Sequence, residues 1–219
     1  MRTDPGGGDR KLTRSAREKL VHRQEIAEAA ERIFAKRGFE RATMEEIARE
    51  ADFSVGALYT FFANKESLWL DVAGKIGDDL LAAFRKEMEA AAGPLEAVAA
   101  IIGLRLRHVE RHGTFIRVFM DATSRNQAWG IAPVLPRRPG FYDEYLDEAA
   151  VQMKRAMDRG LIRKADPVHT ILTLEGIMHA FRNYGARRNI DLPLTEQARL
   201  IQEHFLSLME LPKRRKKEA

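Results

Sequence analysis

The sequence predicts an all-α protein of about nine helices. From Ala16 onward, apolar residues recur at the i, i+3, i+4 spacing of helices, and no segment alternates apolar and polar residues as a half-buried strand does. Gly93-Pro94 and Asp166-Pro167 separate such segments and are typical of helix boundaries. With 219 residues, 45% of them apolar, the chain can form a small module beside a larger helical body.

The helices can be assigned in chain order. Gly38 is expected to end the first helix in a left-handed conformation, and Gly160 to end the seventh. Residues 130–140 hold three prolines and two glycines and are predicted to form a loop. The predicted helices are 17–37, a short one from Thr43, a short one from Ser54, 65–91, 94–111, 114–129, 141–159, 167–188 and 195–210.

Positive charge is concentrated at the two ends of the chain. Residues 1–23 carry seven Lys/Arg against three acids, and residues 212–219 carry five against one, so the rest of a chain of net charge +5 is slightly acidic. A basic arm beside a DNA-reading module strengthens the attraction to phosphates, whereas a basic tail alone is more often only solvated. The sequence leaves both readings open for each end.

The composition excludes several classes of protein. Cysteine is absent, which excludes disulfides, thiolate zinc sites and a cysteine nucleophile. No apolar run reaches the roughly 20 residues of a membrane helix, and the N-terminus lacks the apolar stretch of a secretory signal, so a cytoplasmic protein is expected. No nucleophile stands out with a base, and Gly6-Gly7-Gly8 lacks the context of a nucleotide loop. Neither an enzyme nor a cofactor is predicted.

Two histidines raise the question of a metal. His108 and His112 lie one helical turn apart, a spacing that can chelate zinc or nickel. No third ligand is evident nearby, and the pattern is not that of zinc proteases. No metal site is predicted, although the sequence alone leaves the question open for this pair.

The segment 41–69 carries the functional prediction. Thr43 and Glu46 form a capping box that starts a short helix. The turn at 51–53 is too tight to let the next helix run antiparallel, so the two helices must cross steeply, as in a helix-turn-helix. The helix from Ser54 opens with small residues, which lets its backbone approach base edges in the major groove.

Eight residues are predicted to contact DNA. Tyr59 and Thr60 are expected to project outward with hydroxyls that donate to phosphate oxygens, the alternative for Tyr59 being a half-buried packing role. Lys65 adds charge beside a helix N-terminus. Val55 and Ala57 either contact a thymine methyl or only permit close approach. The predicted set is Thr43, Ser54, Val55, Gly56, Ala57, Tyr59, Thr60 and Lys65.

The string from Ala42 to Leu68 resembles the signature of the tetracycline-repressor (TetR) family of regulators. That signature has Thr at the start of the second helix, Ile-Ala within it, small residues opening the third, then Leu-Tyr, Phe and Lys-Glu-x-Leu. Two positions depart from it: Asp52-Phe53 stands where Gly-Val is common, and Phe61 where His or Tyr is frequent. The first is expected to alter the turn slightly, and the second to remove a phosphate contact.

The resemblance implies a homodimeric, ligand-responsive regulator, more often a repressor, that reads a palindromic DNA operator. In this family the last two long helices of each subunit form a four-helix interface, which here implies 167–188 and 195–210. The intervening helices would enclose a pocket for an unknown small-molecule effector. The polar candidates for that pocket are Arg105, Arg117, Asp121, His179, Arg182 and Asn183, of which Arg117, Asp121, His179 and Arg182 are preferred.

The expected organisation follows. Residues 1–16 form a flexible basic arm, in which Arg10, Lys11 and Arg14, with Arg17 just beyond it, either track the minor groove or make no DNA contact. Four segments are then predicted: the arm at 1–16, the helix-turn-helix domain at 17–63, the effector-binding and dimerisation domain at 64–211, and a basic tail at 212–219.

Overall fold

The computed structural model describes residues 13–128, 141–188 and 192–210, and these residues form eight helices without a strand. The all-α prediction is therefore confirmed. The helices are α1 (Arg14–Arg41), α2 (Met44–Glu50), α3 (Val55–Phe61), α4 (Lys65–Ala90), α5 (Pro94–Ala128), α6 (Phe141–Asp158), α7 (Pro167–Arg188) and α8 (Leu194–Leu208).

The helix α5 accounts for the difference between nine predicted helices and eight observed. The turn predicted at 111–113 is wrong, because these residues lie inside one continuous helix. Glycine weakens a helix by about 1 kcal/mol relative to alanine but does not by itself end it. At Gly113 the missing side chain also leaves room for a neighbour, since a Cβ there would lie 3.2 Å from Cγ1 of Val109.

The helix α1 begins earlier than the sequence predicts. Thr13 caps it by accepting a hydrogen bond from the Ala16 N–H at 3.2 Å, and Arg14 pairs with Glu18 one turn later at 2.8 Å. Residues 14–16, expected in a flexible arm, are therefore helical. Gly38 and Gly160 both have the expected positive φ, 76° and 67°. Gly38 kinks α1 and does not end it, because the helix continues to Arg41. The predictions for residues 1–12, 130–140 and 211–219 fall outside the described residues.

The chain divides into two compact units. The first consists of the described parts of Met1–Val72 and Arg117–Pro133, and the second of the described parts of Ala73–Ile116 and Val134–Ala219. Both α4 and α5 contribute residues to each unit. None of the helices described is both long and apolar enough to cross a membrane.

Each unit has its own apolar core. In the first, Phe34 of α1, Ile47 of α2 and Leu58 of α3 are fully buried, so each short helix is held by at least one core side chain. Trp69 of α4 packs its ring against Phe34 at a centroid distance of 4.8 Å. The core of the second unit contains side chains of all five helices from α4 to α8. Its buried residues include Leu80, Phe84, Ile101, Ile102, Tyr145, Met153, Ile171, Leu174, Ile201 and Phe205.

Candidate nucleic-acid interface

Side-chain caps fix the starts of α2 and α3. The Thr43 hydroxyl oxygen accepts from the Glu46 N–H at 3.2 Å, and the Glu46 carboxylate accepts from the Thr43 N–H at 3.4 Å, so the predicted capping box is present. Ser54 caps α3 by accepting from the Ala57 N–H at 3.1 Å. These bonds satisfy backbone N–H groups that a helix leaves unpaired at its start.

The turn between α2 and α3 depends on a left-handed aspartate. Asp52 has φ of 59°, the only positive φ at a non-glycine among the described residues. This region favours glycine, which the family signature has there, but short polar side chains tolerate it. The Phe53 N–H then donates to the Ala48 carbonyl oxygen at 2.9 Å, which closes the turn. Asp52 therefore adopts the left-handed conformation that glycine favours.

The outer face of α3 is exposed along its length. Leu58 and Phe62 are buried, with 0% and 2% of their surface exposed, and they anchor the helix to the core. Tyr59 keeps 51% of its surface exposed, and both the phosphate contact and the packing role stay predictions. Ser54, Gly56 and Thr60 are also exposed, and Val55 and Ala57 are half-buried. A Cβ built on Gly56 meets nothing within 4 Å, so this side of the helix is open.

The hydroxyl groups of the predicted set differ in what they can still offer a phosphate. Thr43 and Ser54 use a lone pair to cap their helices, and accepting those bonds does not use the hydroxyl proton. The Thr60 hydroxyl instead donates to the Ala57 carbonyl oxygen at 2.7 Å. Thr60 would have to rotate before donating to phosphate, although its oxygen can accept in the present rotamer.

Lys65 has partners that the sequence did not predict. Its ammonium donates to the carbonyl oxygens of Phe39 at 2.8 Å, Ala42 at 3.0 Å and Glu40 at 3.3 Å, and lies 4.6 Å above the Phe39 ring. An ammonium has three N–H donors, so these bonds use all of them. These contacts tie the start of α4 to the end of α1, and the phosphate contact expected of Lys65 stays a prediction.

Arg23 is a positioning residue that the sequence analysis missed. Its guanidinium donates to the Phe61 carbonyl oxygen at 3.0 Å, pairs with Asp71, and lies 4.4 Å from the centre of the Phe62 ring. One side chain of α1 thereby holds the end of α3 and the second turn of α4. The contacts span 38 and 48 residues of sequence, so no local pattern could have indicated them.

The two departures from the family signature meet at one histidine. The His22 ring packs edge-on against Phe53 at 5.3 Å and against Phe61 at 6.4 Å between centroids. Phe53 lies in the turn before α3 and Phe61 at its last residue, so both ends of α3 contact the same side chain of α1. At position 61 an aromatic packing contact thus stands in place of a polar side chain.

The second unit contains a crevice between α5 and α7 that brings together two of the predicted effector residues. It is open to solvent and has a cavity volume of about 50 Å³, and His179 and Arg182 line it. Arg105, from the wider candidate set, lines it as well. Arg117 is exposed and belongs to the first unit, so it does not line this crevice, and the side chain of Asp121 lies outside the described residues.

Arg105 forms a buried ion pair with Glu175, which the sequence analysis did not identify. The guanidinium donates twice, from Nε at 3.0 Å and from Nη2 at 2.9 Å, and the Tyr145 hydroxyl donates to the same carboxylate at 2.8 Å. Burial opposes the charge of Arg105, but Glu175, Tyr145 and Tyr142 together outweigh it and raise the pKa of Arg105. Burial and Glu175 also raise the pKa of Tyr145 well above its ordinary value, so its hydroxyl stays protonated.

His108 and His112 are neighbours but do not form a metal site with a third ligand. Their ring centroids are 5.3 Å apart. Across the described part of the chain, no group of three or more His, Cys, Asp or Glu side chains is arranged to hold a metal ion. Burial, then the charges of Arg105 and His112, lower the pKa of His108 to about 4, so the ring is neutral near pH 7.

Comparison with known proteins gives one family model and several bacterial regulators that are similar to this chain. The family model described as bacterial regulatory proteins, tetR family, matches residues 26–72. The repressor KstR2 of Mycobacterium tuberculosis is 30% identical over 103 residues, 47% of this chain and 52% of KstR2, so the match spans about half of that relative. The repressor AcnR of Corynebacterium glutamicum is 30% identical over 162 residues, 73% of this chain and 79% of AcnR.

A solved structure extends the likeness of fold over the body. FadR of Bacillus subtilis, solved in complex with stearoyl-CoA, superposes with a TM-score of 0.69 at 15% identity, covering 85% of this chain and 99% of that one. At this identity the likeness shows the shared fold alone. The signature in register, the match to the family model and the relationship to AcnR together establish that the chain belongs to the TetR family of bacterial transcriptional regulators.

Proposed function

We propose that the protein is a ligand-responsive repressor that binds a palindromic DNA operator as a homodimer. The observation that carries the proposal is the exposed outer face of α3, a helix whose inner side is held by the buried Leu58. A helix exposed in this way fits the major groove, which is about as wide as a helix. KstR2 and AcnR are both named repressors, which favours repression. The proposed place of action is the cytoplasm, where bacterial DNA lies.

The proposed DNA contacts fall into two kinds. Thr43 and Ser54, at the starts of α2 and α3, would donate their hydroxyl protons to phosphate oxygens, as would Tyr59. Gly56 lets the backbone approach base edges, and the half-buried residues on either side of it, Val55 and Ala57, would meet thymine methyls or allow that approach. Thr60 would join the phosphate contacts as an acceptor of water-mediated bonds or after rotation.

The proposed dimer uses α7 and α8. Large apolar side chains are exposed on α7 and α8, among them Leu172 at 43%, Tyr184 at 59% and Leu208 at 46%. Exposing such a group of apolar side chains to water is unfavourable, and we expect a second copy of the chain to cover them. Sedimentation of the free protein should give about twice the chain mass of 24.9 kDa, and a persistent monomer at micromolar concentration would remove the dimer from the proposal.

The proposed response to a ligand uses the helix that both units share. Lys65–Val72 of α4 belong to the DNA-reading unit and the rest of α4 to the second. An effector that binds one conformation of the body better than the other would shift the population and change the spacing of the two α3 helices. The stearoyl-CoA bound to FadR supports small-molecule binding by a body of this fold.

The direct test is binding to the DNA upstream of the protein's own gene. Fluorescence anisotropy should give an affinity at least about a thousandfold higher than for random DNA of equal length, the lower bound for specific sites. Equal affinity for both DNAs would contradict sequence-specific regulation. No binding to either would contradict the function as a whole.

A further inference from the structure

The crevice of the second unit has one apolar wall and one charged wall. Leu106 and Val109 of α5 and Met178 of α7 supply the apolar side. Arg105, Glu175, His179 and Arg182 supply the polar side. Small-molecule sites combine an apolar lining with a few polar groups, and this crevice has both.

The carboxylate in this crevice is already fully engaged. Glu175 accepts from two nitrogens of Arg105 and from the Tyr145 hydroxyl. The two partners of the ion pair are only 16% and 12% exposed, so the charges of Arg105 and Glu175 compensate each other where water has little access. Glu175 is therefore already paired with one cation, and it does not favour a cationic ligand.

Arg182 is the second cation that lines the crevice, beside Arg105. Its Nη2 lies 3.0 Å from Nδ1 of His179, and because arginine only donates, Nδ1 must accept and the ring must be neutral. The ring proton then sits on Nε2, which lies 2.7 Å from Nδ2 of Asn183, so the Asn183 amide must be turned over for its oxygen to accept that proton. Among the described residues Arg182 contacts no carboxylate. Burial and the charge of Arg105 lower the pKa of Arg182, and the charge of Glu175, which raises it, only partly offsets them.

We propose that the crevice binds a small amphipathic oxyanion, whose carboxylate or phosphate head pairs with Arg182 and whose apolar part packs on Leu106, Val109 and Met178. The guanidinium fork matches both kinds of head group. The anion would supply the missing negative charge, and the apolar wall would favour a short hydrocarbon over a sugar or a peptide. The inference rests on the proposed function, since it names the chemical class of the effector.

The test compares three probes that share one hydrocarbon chain: octanoate, octyl phosphate and the uncharged 1-octanol. Isothermal titration calorimetry with the wild-type dimer should show at least one of the two anions binding about tenfold or more tightly than octanol, because a charge-assisted bond adds about that factor. Whichever anion binds more tightly identifies the head group. Octanol binding as tightly as both anions, or no binding by either anion, would overturn the proposal without any variant.

Three variants assign the preference to Arg182. Arg182→Gln should bind the anions and octanol alike, and Arg182→Lys should keep most of the preference because it keeps the charge. Arg159→Gln removes the same charge from an exposed turn outside the crevice and should behave as the wild type. Sedimentation of each variant checks that its assembly is unchanged. A preference for anions that survives in a folded Arg182→Gln protein would overturn the proposal.

The same samples separate this inference from the proposed function. With DNA from upstream of the gene, the better anion should weaken binding of the wild type and leave Arg182→Gln unaffected. Operator binding without any anion preference would reject the inference and keep the repressor. Anion binding by a protein that binds no DNA would reject the repressor and keep the crevice as an oxyanion site.

Discussion

The guanidinium of Arg23 donates a hydrogen bond of 3.0 Å to the carbonyl oxygen of Phe61, so a side chain of α1 holds the last residue of the recognition helix α3. The same side chain pairs with Asp71 of α4 and covers the Phe62 ring. It touches none of the residues proposed to contact DNA, yet it fixes the helix that carries most of them. Arg23 is therefore a positioning residue.

Replacing Arg23 by Met should lower both stability and operator affinity. The variant loses a charge-assisted bond to a carbonyl and a partly exposed ion pair, which together are worth about 1–2 kcal/mol of the free energy of unfolding. Urea denaturation and anisotropy measure the two effects. Arg32→Met is the matched control, because Arg32 makes an ion pair with Glu50 whose members are 58% and 39% exposed, and we expect it to change neither quantity by more than about 0.5 kcal/mol. Equal effects of the two substitutions would contradict the special role of Arg23.

Lys65→Met distinguishes a clamp on α1 from a phosphate contact. A clamp predicts a loss of about 1–3 kcal/mol in the free energy of unfolding, because three carbonyl oxygens lose a charged donor. It also predicts that the logarithm of DNA affinity keeps its slope against the logarithm of salt concentration. A phosphate contact predicts a slope smaller by about one, with little change in stability. The second pattern would show that the ammonium leaves the carbonyls when DNA binds.

Gly56→Ala should separate stability from DNA binding. The new methyl meets no atom within 4 Å, and alanine favours a helix over glycine by up to about 1 kcal/mol, so the free energy of unfolding should not fall. If the backbone lies against base edges, the same methyl should crowd the bases and weaken operator binding by about tenfold. Gly74→Ala in α4 is the control, since its Cβ also meets nothing within 4 Å and it lies outside the DNA-reading unit. Unchanged operator affinity of Gly56→Ala would argue against close approach.

His108 should make the protein less stable as the pH falls. Its pKa is about 4 in the folded chain against an ordinary 6.5, so the unfolded chain takes up the proton first. The contribution is fully present above about pH 6.5 and is lost as the pH falls toward 4. His108→Gln should reduce the drop in free energy of unfolding between pH 7 and pH 5. His169→Gln, at a side chain that is 82% exposed, should leave that drop as it is, and an equal change in both variants would refute the assignment.

Local signals predicted the helices well where side chains set their ends. The Thr43–Glu46 capping box, the left-handed Gly38 and the proline at the start of α7 all act within a few residues, and the structure has each of them. The turn predicted at 111–113 failed because glycine only weakens a helix, whereas packing decides whether it continues. The exposed face of α3 follows from helical periodicity once Leu58 and Phe62 are assigned to the core.

The long-range contacts in the crevice and in the DNA-reading unit could not be predicted from the sequence. Arg105 and Glu175 are 70 residues apart, and each lies on an amphipathic helix where a charged residue usually faces solvent. Lys65 fits a phosphate contact by its position beside α3, and only the carbonyl oxygens of Phe39, Glu40 and Ala42 reveal its other partners. Such contacts depend on how distant segments pack, which periodicity and capping do not encode.

The most direct test of a recognition helix in the major groove is protection of the operator from dimethyl sulfate. This reagent methylates guanine N7, which lies in the major groove, and adenine N3, which lies in the minor groove. We predict two clusters of protected guanines centred about 10–10.5 base pairs apart, or a multiple of that spacing, in the DNA bound by the wild type. Protection confined to adenine N3, or guanines that stay fully reactive at saturating protein, would contradict a groove-bound α3.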